Sequence, residues 1–165
     1  ESVIARVLSG EADFGIGPER EPAPPLDARK LFEMPFGVVF PKGHELETLA
    51  RVTWQDVARY PLISLQGQFT ERLLEDVHAS LREVPVRPAN EVTFMTTALA
   101  MAAAGLGVTV CMPYAAPLVT LYGLVMRPLE EPVLSRRFFI YTWQGRSLSP
   151  AAESFIAFLD GFVES

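Results

Sequence analysis

The chain has 165 residues, 49% of them hydrophobic and 21% charged, with a formal net charge of −6 and a single cysteine. That length suits one domain or two small lobes with a real core, and the apolar content excludes a disordered chain. Cys111 alone excludes an internal disulfide and a cysteine-rich zinc site, and the acidic balance argues against a grip on nucleic acid by this segment.

The chain opens on Glu1 with no charged n-region or apolar h-region, so no signal peptide is visible and it reads as a piece of something longer. Val3, Ile4, Val7 and Leu8 mark one helix face, which Gly10 is placed to end. Ala12 to Ile16 reads as a short strand, and Glu19 to Asp27 as a Pro-rich charged loop. Lys30 to Phe40 is strand-like in two pieces around Pro35, the second nearly continuous apolar. Thr53 and Asp56 have the spacing of a capping box before a short helix, and Pro61 to Leu65 is the next strand.

After the polar loop Gln66 to Phe69, Thr70 is placed to cap a helix with core face Leu73, Leu74, Val77 and Leu81. Val84 to Val92, interrupted by Pro85 and Pro88, is a strand near a sheet edge. Thr93 is placed to cap a helix with the stripe Phe94, Met95, Ala98, Leu99 and Ala102, and Gly107 to Met112 is a buried strand. A turn over Tyr114 to Val119 leads to strands at Leu124 to Leu129 and Val133 to Trp143. Ser149-Pro150 then starts a last helix burying Phe155, Ile156, Leu159, Phe162 and Val163. The alternation predicts an α/β fold with largely parallel strands. The stretch from Val92 to Met126 carries no charge, but its glycines, prolines and threonines break it into short elements rather than a membrane span.

Catalytic chemistry is thin. His44 and His78 lack metal-ligand spacing, Cys111 lies in a buried strand, and no nucleophile elbow or phosphate loop occurs. Gly105-Leu106-Gly107 follows a helix and precedes a strand, the reverse of a nucleotide-binding turn. Binding features are stronger. Ser64, Gln66, Gln68 and Thr70 would gather at one helix start that follows a strand, and Thr93 and Thr96 at another. Helix N-termini at the carboxyl edge of a sheet present free N–H groups to a ligand. Caps use the same hydroxyl residues, so both roles are open at this point.

The motif order resembles the LysR-type transcriptional regulators. Ser9-Gly10-Glu11-Ala12-Asp13-Phe14-Gly15-Ile16 is similar to that family's "sGeaDlgI" segment. Pro41-Lys42-Gly43-His44-Glu45-Leu46 resembles its "p-x-x-H-P-L" loop, with Glu45 where proline is commoner. Glu91-Val92, Ala98-Leu99 and Ala102 to Val108 with Pro113 resemble its helix–strand unit, and Gly145 to Ala152 its closing segment.

The resemblance implies a two-lobed α/β domain of the type 2 periplasmic-binding-protein kind, with two crossover strands and a small effector between the lobes. Residues 1–40 and 125–165 would form the first lobe and 41–124 the second. Against the family pattern the first lobe is truncated at its N-terminus, and the DNA-binding helix-turn-helix lies outside this chain. Carried over residue by residue, the effector site comprises Gly17 and Pro18, then Ser64, Gln66, Phe69 and Thr70, then Thr93 and Phe94. The two helix N-termini point to an anionic effector, and motif spacing and composition to no metal, no catalysis and no membrane span; the resemblance implies no cofactor, a homodimer or higher oligomer and a cytoplasmic location. DNA would be contacted only through the helix-turn-helix. Two alternatives stand beside it: an exported solute-binding protein of the same fold, and an enzyme on this scaffold, disfavoured because no acid/base pair stands out.

Overall fold

The computed structural model describes residues 3–18, 25–81 and 86–163. Most of the expected loop at 19–27 and the first residues of the expected strand at 84–92 lie outside the described residues. The chain divides into two compact units, one of residues 1–33 and 136–165, the other of residues 34–135.

The first unit holds α1 (Val3–Ser9), β1 (Phe14–Pro18), β2 (Leu26–Pro35, which runs on past the unit's boundary), β9 (Ser135–Trp143) and α6 (Pro150–Val163). Its sheet has the order β1-β9-β2, with β1 antiparallel to β9. Val7, Leu26 and Tyr141 form its buried centre. Polar groups pin the periphery: Trp143 Nε1 donates to the Val7 carbonyl at 2.6 Å and Tyr141 Oη donates to the Pro18 carbonyl at 2.8 Å. Ser149 caps α6 as expected, its Oγ accepting from the Ala152 N–H at 3.3 Å and donating to Asp13 at 2.9 Å.

The burial expected of α6 is corrected. Only Ala152 is fully buried, Ile156 and Leu159 are half-buried, and Phe155, Phe158 and Phe162 are 49%, 66% and 69% exposed. The helical period was legible, but a three-stranded sheet has too little face to cover an apolar stripe that wide. Likewise α1 buries Val7 alone.

The second unit holds β3 (Gly37–Pro41), β4 (Val52–Thr53), α2 (Trp54–Val57), β5 (Leu62–Leu65), α3 (Gln68–Ser80), β6 (Pro88–Val92), α4 (Met95–Ala103), β7 (Val108–Cys111), α5 (Ala116–Leu121) and β8 (Leu124–Glu130). Its sheet has the order β4-β8-β3-β7-β5-β6. The strands are not largely parallel as expected. β5 is parallel to β6 and β7, and β4 to β8, but β3 runs antiparallel to both its neighbours. β3 and β8 therefore lie side by side within this unit, paired from Gly37↔Pro128 to Pro41↔Leu124. β6, which opens on Pro88, takes an edge of the sheet.

Val39, Ile63, Ala98, Leu99, Ala102, Cys111 and Val119 form the core, α4 and α5 supplying the helical side. The expected turn at Tyr114 to Val119 is instead a 3-10 turn running into α5, whose Pro117 sits where a helix tolerates a missing N–H. The capping box is present: Thr53 Oγ1 accepts from the Asp56 N–H, and the Asp56 carboxylate accepts from the Thr53 N–H at 3.0 Å. Arg127 donates to the carbonyls of Glu47, Leu49 and Ala50 and ties the loop before β4 to β8. The uncharged stretch resolves into α4, β7, α5 and the start of β8, and no described helix is long and apolar enough to cross a membrane.

Gly107 is where the backbone comes closest to itself. A Cβ there would lie 2.3 Å from the Pro61 carbonyl oxygen, which accepts the Val108 N–H at 2.9 Å and cannot withdraw without breaking the β5–β7 entry. Gly107→Ala should cost at least about 3 kcal/mol, as backbone strain plus a lost hydrogen bond. Urea unfolding of variant and parent measures this directly, with Gly123→Ala, which meets open space, as the milder comparison.

Candidate ligand-binding site

The mouth of the second unit is built where β5 and β6 end and α3 and α4 begin. The Gln66 N–H donates to the Val92 carbonyl at 2.9 Å, fastening the two strand ends together. This sets Gln66 beside Thr93, whose Oγ1 donates to Gln66 Oε1 at 3.5 Å. Ser64, Gln66 and Thr70 line an open cavity of about 270 Å³, with Gly67, Glu71 and Glu91 completing its polar wall.

Neither threonine caps its helix, and both expectations are corrected. The cap of α3 is Gly67, at φ 117°, which turns the chain three residues before Thr70. Its carbonyl accepts the N–H groups of Thr70 and Glu71 at 3.1 Å each. The cap of α4 is Phe94, not Thr93. Neither helix start has a side-chain hydrogen bond at its cap. With the capping role gone, these hydroxyls line or rim the mouth instead.

A second cavity of about 80 Å³ shares Ser64, Leu65, Thr70 and Leu74 with the first, and Phe69 lines it. Its other walls are apolar, including Phe36, Trp54, Met95 and Cys111. The Phe36 and Phe69 rings meet at 5.8 Å between centroids. Sequence reasoning missed Glu71, Glu91 and this apolar cavity. Glu91, quoted in the Glu91-Val92 motif but given no role at the site, was the one available signal; the cavity walls are too scattered along the chain to announce themselves.

Of the eight site residues expected, the structure brings together Ser64, Gln66, Phe69, Thr70 and Thr93. Phe94 is 67% exposed and lines neither cavity, so its expected place in the buried α4 stripe is corrected: as the cap it points off the helix before the stripe begins. Gly17 and Pro18 belong to the first unit, at the end of β1, where Gly17 pairs with Phe139. The histidines serve structure: His44 Nδ1 accepts the Leu46 N–H at 3.2 Å, and His78 Nε2 donates to the Val86 carbonyl at 3.0 Å. No cluster of metal-ligating side chains occurs among the described residues.

Burial lifts the Cys111 thiol from an ordinary 9.0 to about 11. The unfolded thiol ionises first as pH rises, so its contribution to stability is whole below pH 9 and is lost between pH 9 and 11. At about 1.4 kcal/mol per pH unit the loss approaches roughly 2–3 kcal/mol. Urea unfolding at pH 8 and pH 10.5 should therefore show a smaller drop in Cys111→Ala than in the parent.

Two compact α/β units, with a polar mouth at strand ends and helix starts, define the class of two-lobed, periplasmic-binding-protein-like folds. Over residues 1–163 the sequence matches the family model of the LysR substrate binding domain, and the chain belongs to that family. It is 31% identical over 153 residues to the uncharacterized HTH-type transcriptional regulator YbhD of Escherichia coli K12, covering 93% of this chain and 48% of that protein. The chain spans about half the length of the curated relatives it matches.

Two solved structures share the fold. The effector-binding domain of QuiR in complex with shikimate superposes with a TM-score of 0.77 at 20% identity, covering 98% of this chain and 77% of that one. The regulatory domain of Synechocystis CcmR in complex with 2-PG does so with a TM-score of 0.77 at 19% identity, covering 98% and 78%. The chain is thus an effector-binding domain of the LysR type, and the exported solute-binding alternative gives way to it. The curated relatives it matches are named HTH-type transcriptional regulators.

Proposed function

We propose that this domain senses a small acid bearing extra hydrogen-bond donors, and that the mouth of the second unit is its receptor. The observation that carries this reading is the uncapped state of both helix starts beside Ser64, Gln66, Thr70 and Thr93. The positive ends of two helix dipoles, with no side-chain hydrogen bond at either cap, suit an acidic head. Glu71 and Glu91 repel a bare anion and favour one whose hydroxyl or amino groups face them. The shikimate and 2-PG bound by the two structural relatives support a ligand of this kind.

Gly17 and Pro18, at the end of β1, are proposed as effector-binding residues of the first unit. The effector acts by binding one arrangement of the regulator better than another, which is how a ligand shifts any conformational equilibrium. The regulator would be a cytoplasmic homodimer or higher oligomer that meets DNA through a helix-turn-helix outside this chain, and this domain would turn over no substrate. A thermal-shift panel of small hydroxylated carboxylic acids tests the ligand class. At least one should raise the melting temperature in a concentration-dependent way, whereas their amides should not.

A further inference from the structure

The two cavities of the second unit share part of their lining and differ in character. Ser64, Leu65, Thr70 and Leu74 line both, so the polar mouth of about 270 Å³ and the apolar slot of about 80 Å³ meet across a common wall. Ser64, only 6% exposed, stands at that boundary, its Oγ reaching no nearer than 3.4 Å to the Leu65 carbonyl. Behind it the slot is walled by buried Phe36, Trp54, Cys111 and Met112. The thiol there is uncharged, its ionisation lifted to about 11. Apart from Ser64, Thr70 and Tyr114 the lining is apolar, which suits alkyl carbons.

We infer that the effector is an amphipathic acid, its polar head at the mouth and a short branched alkyl tail of about three or four carbons in the slot. The inference rests on the reading of the mouth given under the proposed function. The size follows from comparison: a void of about 150 Å³ admits benzene, and this one is roughly half that. A straight polar acid leaves the slot empty, and an aromatic ring overfills it.

The test uses the full chain and five 2-hydroxy acids that keep a donor beside the carboxylate: glycolate, lactate, 2-hydroxyisovalerate, 2-hydroxyisocaproate and mandelate. Affinity is measured by calorimetry, and methionine methyl resonances by NMR, because Met95 and Met112 line the slot. From glycolate to 2-hydroxyisocaproate each added carbon should tighten binding roughly fourfold, the value of one buried methylene. The Met95 and Met112 methyls should shift with 2-hydroxyisocaproate and not with glycolate, and dissolved xenon should shift the same two. Mandelate should bind no tighter than 2-hydroxyisovalerate.

Acids that bind equally well whatever their tail, with still methyls, would overturn the slot while leaving the mouth in place. Xenon entering the slot with no gain along the acid series would do the same. No binding by any acid, the thermal-shift panel included, would overturn the reading of the mouth and the slot together.

Discussion

Replacing Trp54 by alanine should remove most of the stability of the second unit. Trp54 is fully buried at the first position of α2, behind the Thr53–Asp56 capping box, and its Nε1 donates to the Pro132 carbonyl at 3.1 Å. Truncating a buried Trp of this kind costs about 3–5 kcal/mol, and the orphaned carbonyl adds roughly another 1–3. Domains of this size have about 5–15 kcal/mol in all. The variant should lose its cooperative urea transition or show a midpoint close to zero denaturant. Trp54→Phe keeps much of the volume and loses the N–H, so its cost should fall to roughly half or less of the alanine value. Equal midpoints for parent and Trp54→Ala would show that the indole is no keystone.

The second large effect is on binding. Thr70→Val with Thr93→Val removes two hydroxyls and keeps the shape, and neither hydroxyl caps a helix, so the fold should lose well under about 1 kcal/mol. Affinity for any panel acid that binds should fall at least tenfold for each hydroxyl that meets it, because hydrogen bonds to a charged head are worth about 1.5–3 kcal/mol. Thr93→Val alone should weaken binding by at least tenfold, one hydroxyl's share of that loss. A variant of unchanged affinity and unchanged melting temperature would remove both threonines from the receptor.

Much of the architecture was legible because local rules and tertiary context agreed. The capping box at Thr53, the Ser149-Pro150 start of α6, the edge position of β6 with its Pro88 and the buried β7 each follow from residues within a few positions of one another. The departures share a different cause. Phe155, Phe158 and Phe162 keep a helical period, but how much surface lies opposite them is a property of the sheet, not of α6. Thr70 and Thr93 look like caps until the left-handed Gly67 and the extended Phe94 take those places. The strand directions were misjudged because β3 returns antiparallel between β7 and β8, a choice made by long-range pairing.

The site divides in the same way. Ser64, Gln66 and Thr70 lie close together in sequence after one strand, so their shared place at one cavity was legible. The apolar slot joins Phe36, Trp54, Met95 and Cys111 from separate elements, and no local pattern marks it. The family motifs supplied the fold. The chemistry of the mouth came only with the side chains, above all the two carboxylates of Glu71 and Glu91.

The central claim is that the second unit receives the effector at the start of α3 and α4. Backbone amide shifts of the labelled chain, titrated with the tightest acid of the panel, test it most directly. The account predicts saturable shifts centred on Ser64, Gln66, Gly67, Thr70 and Thr93, absent in the Thr70→Val/Thr93→Val variant. Shifts of equal size in parent and variant, or shifts that leave these five amides still, would contradict it.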